Sequence, residues 1–244
     1  MKKIFLLIIA LFLSIFIVNP SYAQQTSKYG YPTGNQNSSN TYGNWYLGVG
    51  VGYAHIIGLK SDFDSFVSQI NSKLSPGESV SESVNNSSFA SNVYIGYKFD
   101  KYIAVQAGFD YLGSYKYSEN LNYLGYYFNA NDTAYVYNFP VELKGILPVN
   151  NVFSIYGLIG GNYWLVNESG SASSNEPGIN TNIPNNNASG FSPAYGIGIS
   201  YNLPEHNKIK LEYDYYQNLF NSSTTISKSH YDVEYLSLQW QYDF

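Results

Sequence analysis

The amino-acid sequence predicts an all-β protein: an eight-stranded antiparallel up-and-down transmembrane β-barrel with short periplasmic turns and long extracellular loops. Three observations carry this expectation. The chain opens with a secretory signal. About eight later segments alternate apolar and polar residues. The connections between those segments alternate between short and long.

Met1-Lys2-Lys3 is a short basic region, Ile4 to Val18 is apolar, and Ser21-Tyr22-Ala23 is a small-x-small cleavage site. This pattern predicts a signal peptide over residues 1–23, removed before Gln24. An uncleaved helical anchor is the alternative, but the apolar run is short for a span. No later stretch is long and apolar enough for a membrane helix, so any membrane crossing must use strands. Residues 24–44, rich in Ser, Asn, Gly, Tyr and Gln, read as a flexible lead-in. The barrel domain is expected over 45–244.

The clearest strand is the last. Leu236, Leu238, Trp240, Tyr242 and Phe244 point one way, and Ser237, Gln239, Gln241 and Asp243 the other. Trp45 opens the first strand, with Leu47, Val49, Val51 and Tyr53 opposite Gly48, Gly50, Gly52 and Ala54. The same alternation recurs over 89–99, 102–113, 134–147, 191–203 and 208–216. Residues 152–166 are ambiguous: Phe153, Ile155, Ile159 and Tyr163 favour one outward phase, Tyr156 and Leu158 the other. Strands of about ten residues suit a tilted bilayer crossing.

Tight turns are expected at a two-residue hairpin, Asp100-Lys101, and at 148–151 and 204–207. Long loops are expected at 56–88, 114–133, 167–190 and 217–232. In the first of these, Phe63, Phe66, Val67, Ile70 and Leu74 follow helical spacing. Ser61 and Asp64 could form a capping box, and Pro76-Gly77 could end the helix. Such a helix over 61–75 could lie on the membrane or cap the barrel mouth. A mobile loop with accidental periodicity is the alternative.

Composition narrows the function classes. Charged residues are 12% and aromatics 18% of the chain, with 27 tyrosines. Soluble domains average about 25% charged residues, whereas tyrosine suits a membrane–water boundary. Removing Lys2 and Lys3 from the twelve cations leaves ten against seventeen acids, a net charge of −7. With no arginine, the usual tool for phosphate and base contacts is missing, so no nucleic-acid partner is expected. There is no cysteine, and a closed barrel has no open edge that needs bridging. A soluble lipocalin-like barrel is the rival fold; it would put the oily faces inside.

The chain resembles the OmpA-like family of eight-stranded outer-membrane barrels. The resemblance rests on the signal, Trp45-Tyr-Leu-Gly-Val-Gly-Val-Gly-Tyr53, Phe139-Pro-Val-Glu-Leu-Lys144, Tyr156-Gly-Leu-Ile-Gly-Gly-Asn-Tyr163, Tyr195-Gly-Ile-Gly-Ile199 and the terminal Tyr242-Asp-Phe244. It implies an integral protein of the Gram-negative outer membrane, in contact with lipid and lipopolysaccharide. It also implies that the C-terminal strand, with Trp240, Tyr242 and Phe244, is the signal read by the barrel-assembly machinery. Two departures stand out. The chain ends at Phe244 without the family's peptidoglycan-binding domain, and interior pairing must use lysine instead of arginine.

The inward face is expected to carry Lys98, Asp110, Glu142, Lys144, Lys208, Lys210, Glu212 and Asp214. Four lysines would balance four carboxylates in an internal salt-bridge plug, because an eight-stranded barrel is only wide enough for side chains. Rearranged Lys/Glu pairs could instead gate a narrow, low-conductance pore. Catalysis is not expected. His55 and His230, with Ser227, Ser229 and Asp232, are the only candidates for an outer-leaflet lipid hydrolase or acyltransferase, and they match no motif. His206 reads as solvated. No cofactor or metal is expected. A structural or surface-interaction role is favoured: a monomer contributing to envelope integrity, or adhering to a host or cell-surface ligand through its loops.

Overall fold

A computed structural model describes residues 44–123, 125–175, 185–221 and 230–244. The expected signal peptide, and the lead-in up to Gly43, lie outside the described residues, as do Ser227 and Ser229. The elements are β1 (Asn44–Ile57), α1 (Leu59–Asn71), β2 (Ser79–Val84), β3 (Ser87–Lys98), β4 (Ile103–Tyr123), β5 (Tyr126–Pro148), β6 (Phe153–Ser174), β7 (Asn186–Asn202), β8 (Asn207–Asn221) and β9 (His230–Asp243).

Eight of these strands form a closed antiparallel ring in the order β1, β3, β4, β5, β6, β7, β8, β9, with β9 returning to β1. Closure follows from the last strand. Residues 232–243 of β9 pair with 46–57 of β1 on one side, and β9 pairs with β8 on the other. No ring strand presents an open edge to lipid, where an unpaired backbone group would cost several kcal/mol.

The oily faces point outward. Trp45, Leu47, Val49, Val51 and Tyr53 are exposed, and Tyr46 and Ala54 on the opposite face are buried. The soluble-barrel rival required the reverse. On β6 Ile155 and Ile159 face out, and Tyr156 and Leu158 face in. That strand looked ambiguous because both of its faces carry apolar residues.

Aromatic rings form two belts around the apolar band. At the short-turn end Trp45 meets Tyr97 at 5.2 Å, and Tyr97 meets Phe99 at 5.3 Å. At the other end Phe109, Phe139, Tyr163 and Phe191 follow one another at 5.2, 6.5 and 4.8 Å. The nine residues from Trp45 to Tyr53, tilted as barrel strands are, span roughly 20 Å, close to the lipid-facing band of such barrels.

The first turn is longer than the expected two-residue hairpin. It covers 99–102, with Phe99 N donating to Ile103 O at 3.0 Å. Asp100 Oδ1 accepts from Tyr102 N at 2.6 Å and Ile103 N at 2.7 Å. Asn150 repeats this arrangement in the second turn, accepting from Val152 N and Phe153 N at 2.8 Å each. The carboxylate or amide side chain replaces a backbone acceptor.

The segment 114–133 is also more ordered than a loop. At Gly113, φ is +101°, and the β4–β5 register shifts between Tyr111 and Gly113. The bulge exchanges the faces and lets the ladder continue to Tyr123 and Tyr126. Its Asn, Ser and Tyr residues have no apolar face, which hides the strand from periodicity.

The helix forms, two residues earlier than its sequence signals. Gly58, at φ +85°, is its N-cap. Ser61 lies inside the first turn and donates to Gly58 O at 2.8 Å, so the expected capping box is absent. The helix ends at Asn71, before Pro76-Gly77, because the Asn71 side chain bonds both Val80 N and Val80 O at 2.8 Å. Val67 and Val80 are buried, and Phe63 meets the Tyr117 ring at 4.5 Å. The helix therefore rests on the β2–β4 ribbon, not across the barrel mouth or flat on the membrane.

Candidate functional site

The inward residues of the ring form four levels, counted from the short turns. At the floor, Asp243 makes salt bridges with Lys98 and, at 2.9 Å, with Lys208. Sequence reasoning placed Asp243 on the polar face of the last strand but left it out of the charge count. Strands β3 and β9 are separated by β1, so no spacing rule pairs Lys98 with it.

The next level is centred on Lys210, 1% exposed. Its ammonium lies 3.1 Å from Glu212 Oε2, donates to Gln239 Oε1 at 2.7 Å and to Tyr94 OH at 3.1 Å, and stands 4.3 Å from the Tyr94 ring centre. Glu212 also accepts from Tyr156 OH at 2.8 Å and from Gln239 Nε2 at 2.7 Å. Every group in this level has a charged or dipolar partner, which a buried ion pair requires.

Inward glycines create the space for these rings. A Cβ on Gly48 would lie 2.2 Å from Tyr94, one on Gly96 2.1 Å from Tyr46, and one on Gly198 2.3 Å from Tyr156. Each pair is also a ladder pair: Gly48↔Tyr94, Tyr46↔Gly96, Tyr156↔Gly198. Cross-strand glycine–aromatic matching was the signal that could have placed Tyr46 and Tyr156 inside.

The third level departs from the expected balance of four lysines and four carboxylates. Lys144 makes no salt bridge among the described residues; its ammonium stands 3.7 Å from the Tyr156 ring centre. Asp110 has no lysine either. It accepts from Asn138 Nδ2 at 2.9 Å and Tyr216 OH at 2.7 Å. Glu142 takes one bond from Gln106 at 3.1 Å. The Oε1 of Glu142 and the Oδ1 of Asp214 have no hydrogen-bond partner. Polar side chains thus replace much of the ionic pairing that composition suggested.

The fourth level is dry. Ile56, Leu112, Val136, Val166, Leu219 and Val233 are at most 3% exposed and belong to one cluster with Trp164 and Tyr235. This layer closes the lumen at the end away from the short turns. Two register shifts help to build it, since Leu112 and Leu219 sit at the irregularities in β4 and β8.

Of the catalytic candidates, Ser227 and Ser229 lie outside the described residues. His55 faces Glu234 across the ladder, and His230 lies four residues further along β9, about 13 Å of strand. His55 Nδ1 lies 2.7 Å from Ser87 Oγ. Asp232 is engaged by Tyr215 OH and, at 2.8 Å, by Asn218 N. His206 is exposed in the third turn, with φ +66° beside Glu205 at +61°. Trp240 and Phe244 face outward, Trp240 Nε1 donates to Asn207 Oδ1 at 3.0 Å, and Tyr242 meets Phe244 edge-on at 5.3 Å.

The protein is a closed eight-stranded ring with an oily outside and a filled inside, polar towards the short turns and apolar at the other end. The model of the OmpA-like transmembrane domain matches residues 40–244. The chain belongs to that family. It is therefore an outer-membrane β-barrel of the OmpA type. Among solved structures it is similar to Ail, the attachment invasion locus protein of Yersinia pestis, at 15% identity, covering 83% of this chain and 99% of Ail, with a TM-score of 0.44. It is also similar to the outer membrane protein OprG of Pseudomonas aeruginosa at 13% identity, covering 83% and 96%, with a TM-score of 0.47. Neisserial surface protein A is similar at 12% identity, covering 82% and 97%, with a TM-score of 0.42. A search of curated protein sequences gave no match.

Proposed function

We infer that this OmpA-like barrel is a monomeric surface-interaction protein that contacts a host or neighbouring-cell ligand through the ribbon built by β4, β5 and β6. One observation carries the reading: these strands are 21, 23 and 22 residues long. A crossing uses about ten residues, so roughly ten in each project beyond the lipid, some 35 Å of strand. The ribbon tip exposes Tyr126 and Tyr127, with Asn122 across the ladder from Tyr127 and Asn175 Oδ1 accepting from the Tyr127 amide. Exposed tyrosines make binding area at low entropic cost. Helix α1 buttresses the ribbon through Phe63 and Tyr117, so the projecting surface is preorganised.

The packed apolar level above Glu142 and Asp214 supports this reading over a pore, since a hydrated ion would have to cross a layer of buried Leu, Ile and Val side chains. The outward Trp240, Tyr242 and Phe244 fit the C-terminal assembly signal that the family reads during insertion. The test is adhesion by cells displaying the chain. Deleting 119–131, with the new ends joined by a two-residue turn, is expected to abolish attachment to immobilised matrix proteins or to other cells while the barrel still folds. Attachment that survives the deletion refutes the ribbon as the contact surface.

A further inference from the structure

One ladder row on the outer wall carries a hydroxyl, an imidazole, a carboxylate and a phenol side by side. His55 on β1 pairs with Ser87 on β3 and with Glu234 on β9, and Glu234 pairs with Tyr215 on β8. The row below it faces lipid: Tyr53 pairs with Phe89 and Leu236, and Tyr53 and Phe89 are exposed. Residues two apart on a strand share a face, so Ser87, His55 and Glu234 also point outward, about 7 Å of strand beyond Tyr53. All three are half-buried. They stand at the loop-side edge of the apolar band, the level at which the acyl esters of a membrane lipid lie, between hydrocarbon and headgroup.

The contacts suit nucleophilic chemistry. His55 Nδ1 lies 2.7 Å from Ser87 Oγ, closer than the 3.4 Å from that hydroxyl to Asn86 Oδ1. With the imidazole proton on Nε2, Nδ1 accepts from the hydroxyl and is placed to take its proton. Glu234 flanks the ring from the opposite strand, where a carboxylate favours the Nε2–H tautomer and steadies the imidazolium. Glu234 itself is held by the Tyr213 hydroxyl. Ser87 is 32 residues from His55, so only the ladder brings them together.

We propose that Ser87, His55 and Glu234 form a hydrolase site for the acyl esters of membrane lipid, on the outside of the barrel at the loop-side boundary. Ser87 Oγ attacks the ester carbonyl carbon and passes its proton to His55 Nδ1. The bond from that carbon to the lipid's alkoxy oxygen breaks, and the lyso-lipid leaves with the proton. Water, deprotonated by His55, attacks the acyl-serine; the fatty acid departs and the proton returns to Ser87 Oγ. The Asn86 side-chain amide, turned by half a rotation, presents an N–H to the oxyanion. Glu234 is a positioning residue, acting through His55.

The rival role for this row is a hydrogen bond that only ties β1 to β3, and the experiment separates the two. The full chain is refolded in detergent and mixed with micelles of acyl-labelled phosphatidylethanolamine or, separately, of acyl-labelled lipid A. The expected result is release of labelled fatty acid, the responding micelle naming the source of the ester, and addition of an alkyl fluorophosphonate once per chain at Ser87. Ser87→Ala is expected to abolish both, and His55→Gln to slow release by roughly a hundredfold or more, while both variants keep the heat-shifted band of a folded barrel. Should Ser87→Ala fail to fold, His55→Gln carries the test. Glu234→Gln is expected to lower kcat with KM unchanged and to move the acid limb of the pH profile, which a structural tie would leave in place. Ser91→Ala, on the same outward face of β3, is expected to retain full release. Three results would each overturn the proposal: no fatty acid from either micelle, release that survives both Ser87→Ala and His55→Gln, or a fluorophosphonate that adds elsewhere. A Glu234→Gln profile identical to wild type overturns the part given to Glu234.

Discussion

Replacing Lys210 with methionine tests the lumen most sharply. The ammonium has three direct partners, Glu212 at 3.1 Å, Gln239 at 2.7 Å and Tyr94 at 3.1 Å. Methionine fills most of the volume but supplies no charge. Glu212 would keep its bonds from Tyr156 and Gln239 but would be a buried carboxylate without its nearest cation. Removing one partner of a buried pair costs about 3–5 kcal/mol, whereas removing both for apolar groups of similar size is near neutral or stabilising. Lys210→Met is therefore expected to lose about 3–5 kcal/mol, and Lys210→Met with Glu212→Met to recover most of it. Urea unfolding in detergent, followed by the mobility difference between folded and boiled protein, reads both. The reasoning fails if the double variant is as unstable as the single one, for then packing and not charge would set the loss.

Four further outcomes follow from the geometry. Gly48→Ala places a Cβ 2.2 Å from the Tyr94 ring, and the overpacking is expected to cost about 1–3 kcal/mol in the same unfolding assay. His206→Gly relieves a left-handed residue in the third turn and is expected to raise stability by up to about 1 kcal/mol. Glu82 lies outside the lipid band beside Asp64 and Glu119, with Lys60 the opposing charge. Burial first, then Asp64, pushes its carboxyl up to about 7. A raised carboxyl binds its proton more tightly in the fold, so docking of α1 on β2 is stable at low pH, weakens as pH rises from the ordinary carboxylate range to about 7, and changes little above that. Hydrogen exchange at the Val80 amide should accordingly speed up beyond the intrinsic rate as pH rises from the ordinary carboxylate range to about 7 and level off above it, and Glu82→Gln should abolish the excess. Removing Phe244 is expected to reduce the assembled fraction in cells, measured by the heat-shifted band.

Period two made the outer wall legible, because lipid favours apolar side chains at every second position across the band. It made the lumen only half legible. The sequence shows that Glu142, Lys144, Lys210 and Glu212 face inward, but not which of them meet, since contacts cross the ring and skip strands. Lys98 with Asp243 is the clearest case. The dry layer was missed because it depends on Leu112 and Leu219, whose inward placement follows from register shifts that alternation cannot foresee. Strand was missed in 114–133 because a ribbon standing in water needs no oily face. Helix α1 was found from its apolar spacing, but its ends were not, since Gly58 and the Asn71–Val80 bonds set them.

The central claim is that the oily faces meet lipid and the polar faces fill the lumen. The chain has no cysteine, so single cysteines can be placed one at a time along 139–147 and spin-labelled in bilayers. Collision with oxygen, which concentrates in lipid, should peak at positions 139, 141, 143, 145 and 147 and fall at the even positions between them. A reversed alternation, with the even positions in contact with lipid, or no alternation at all, would contradict the account.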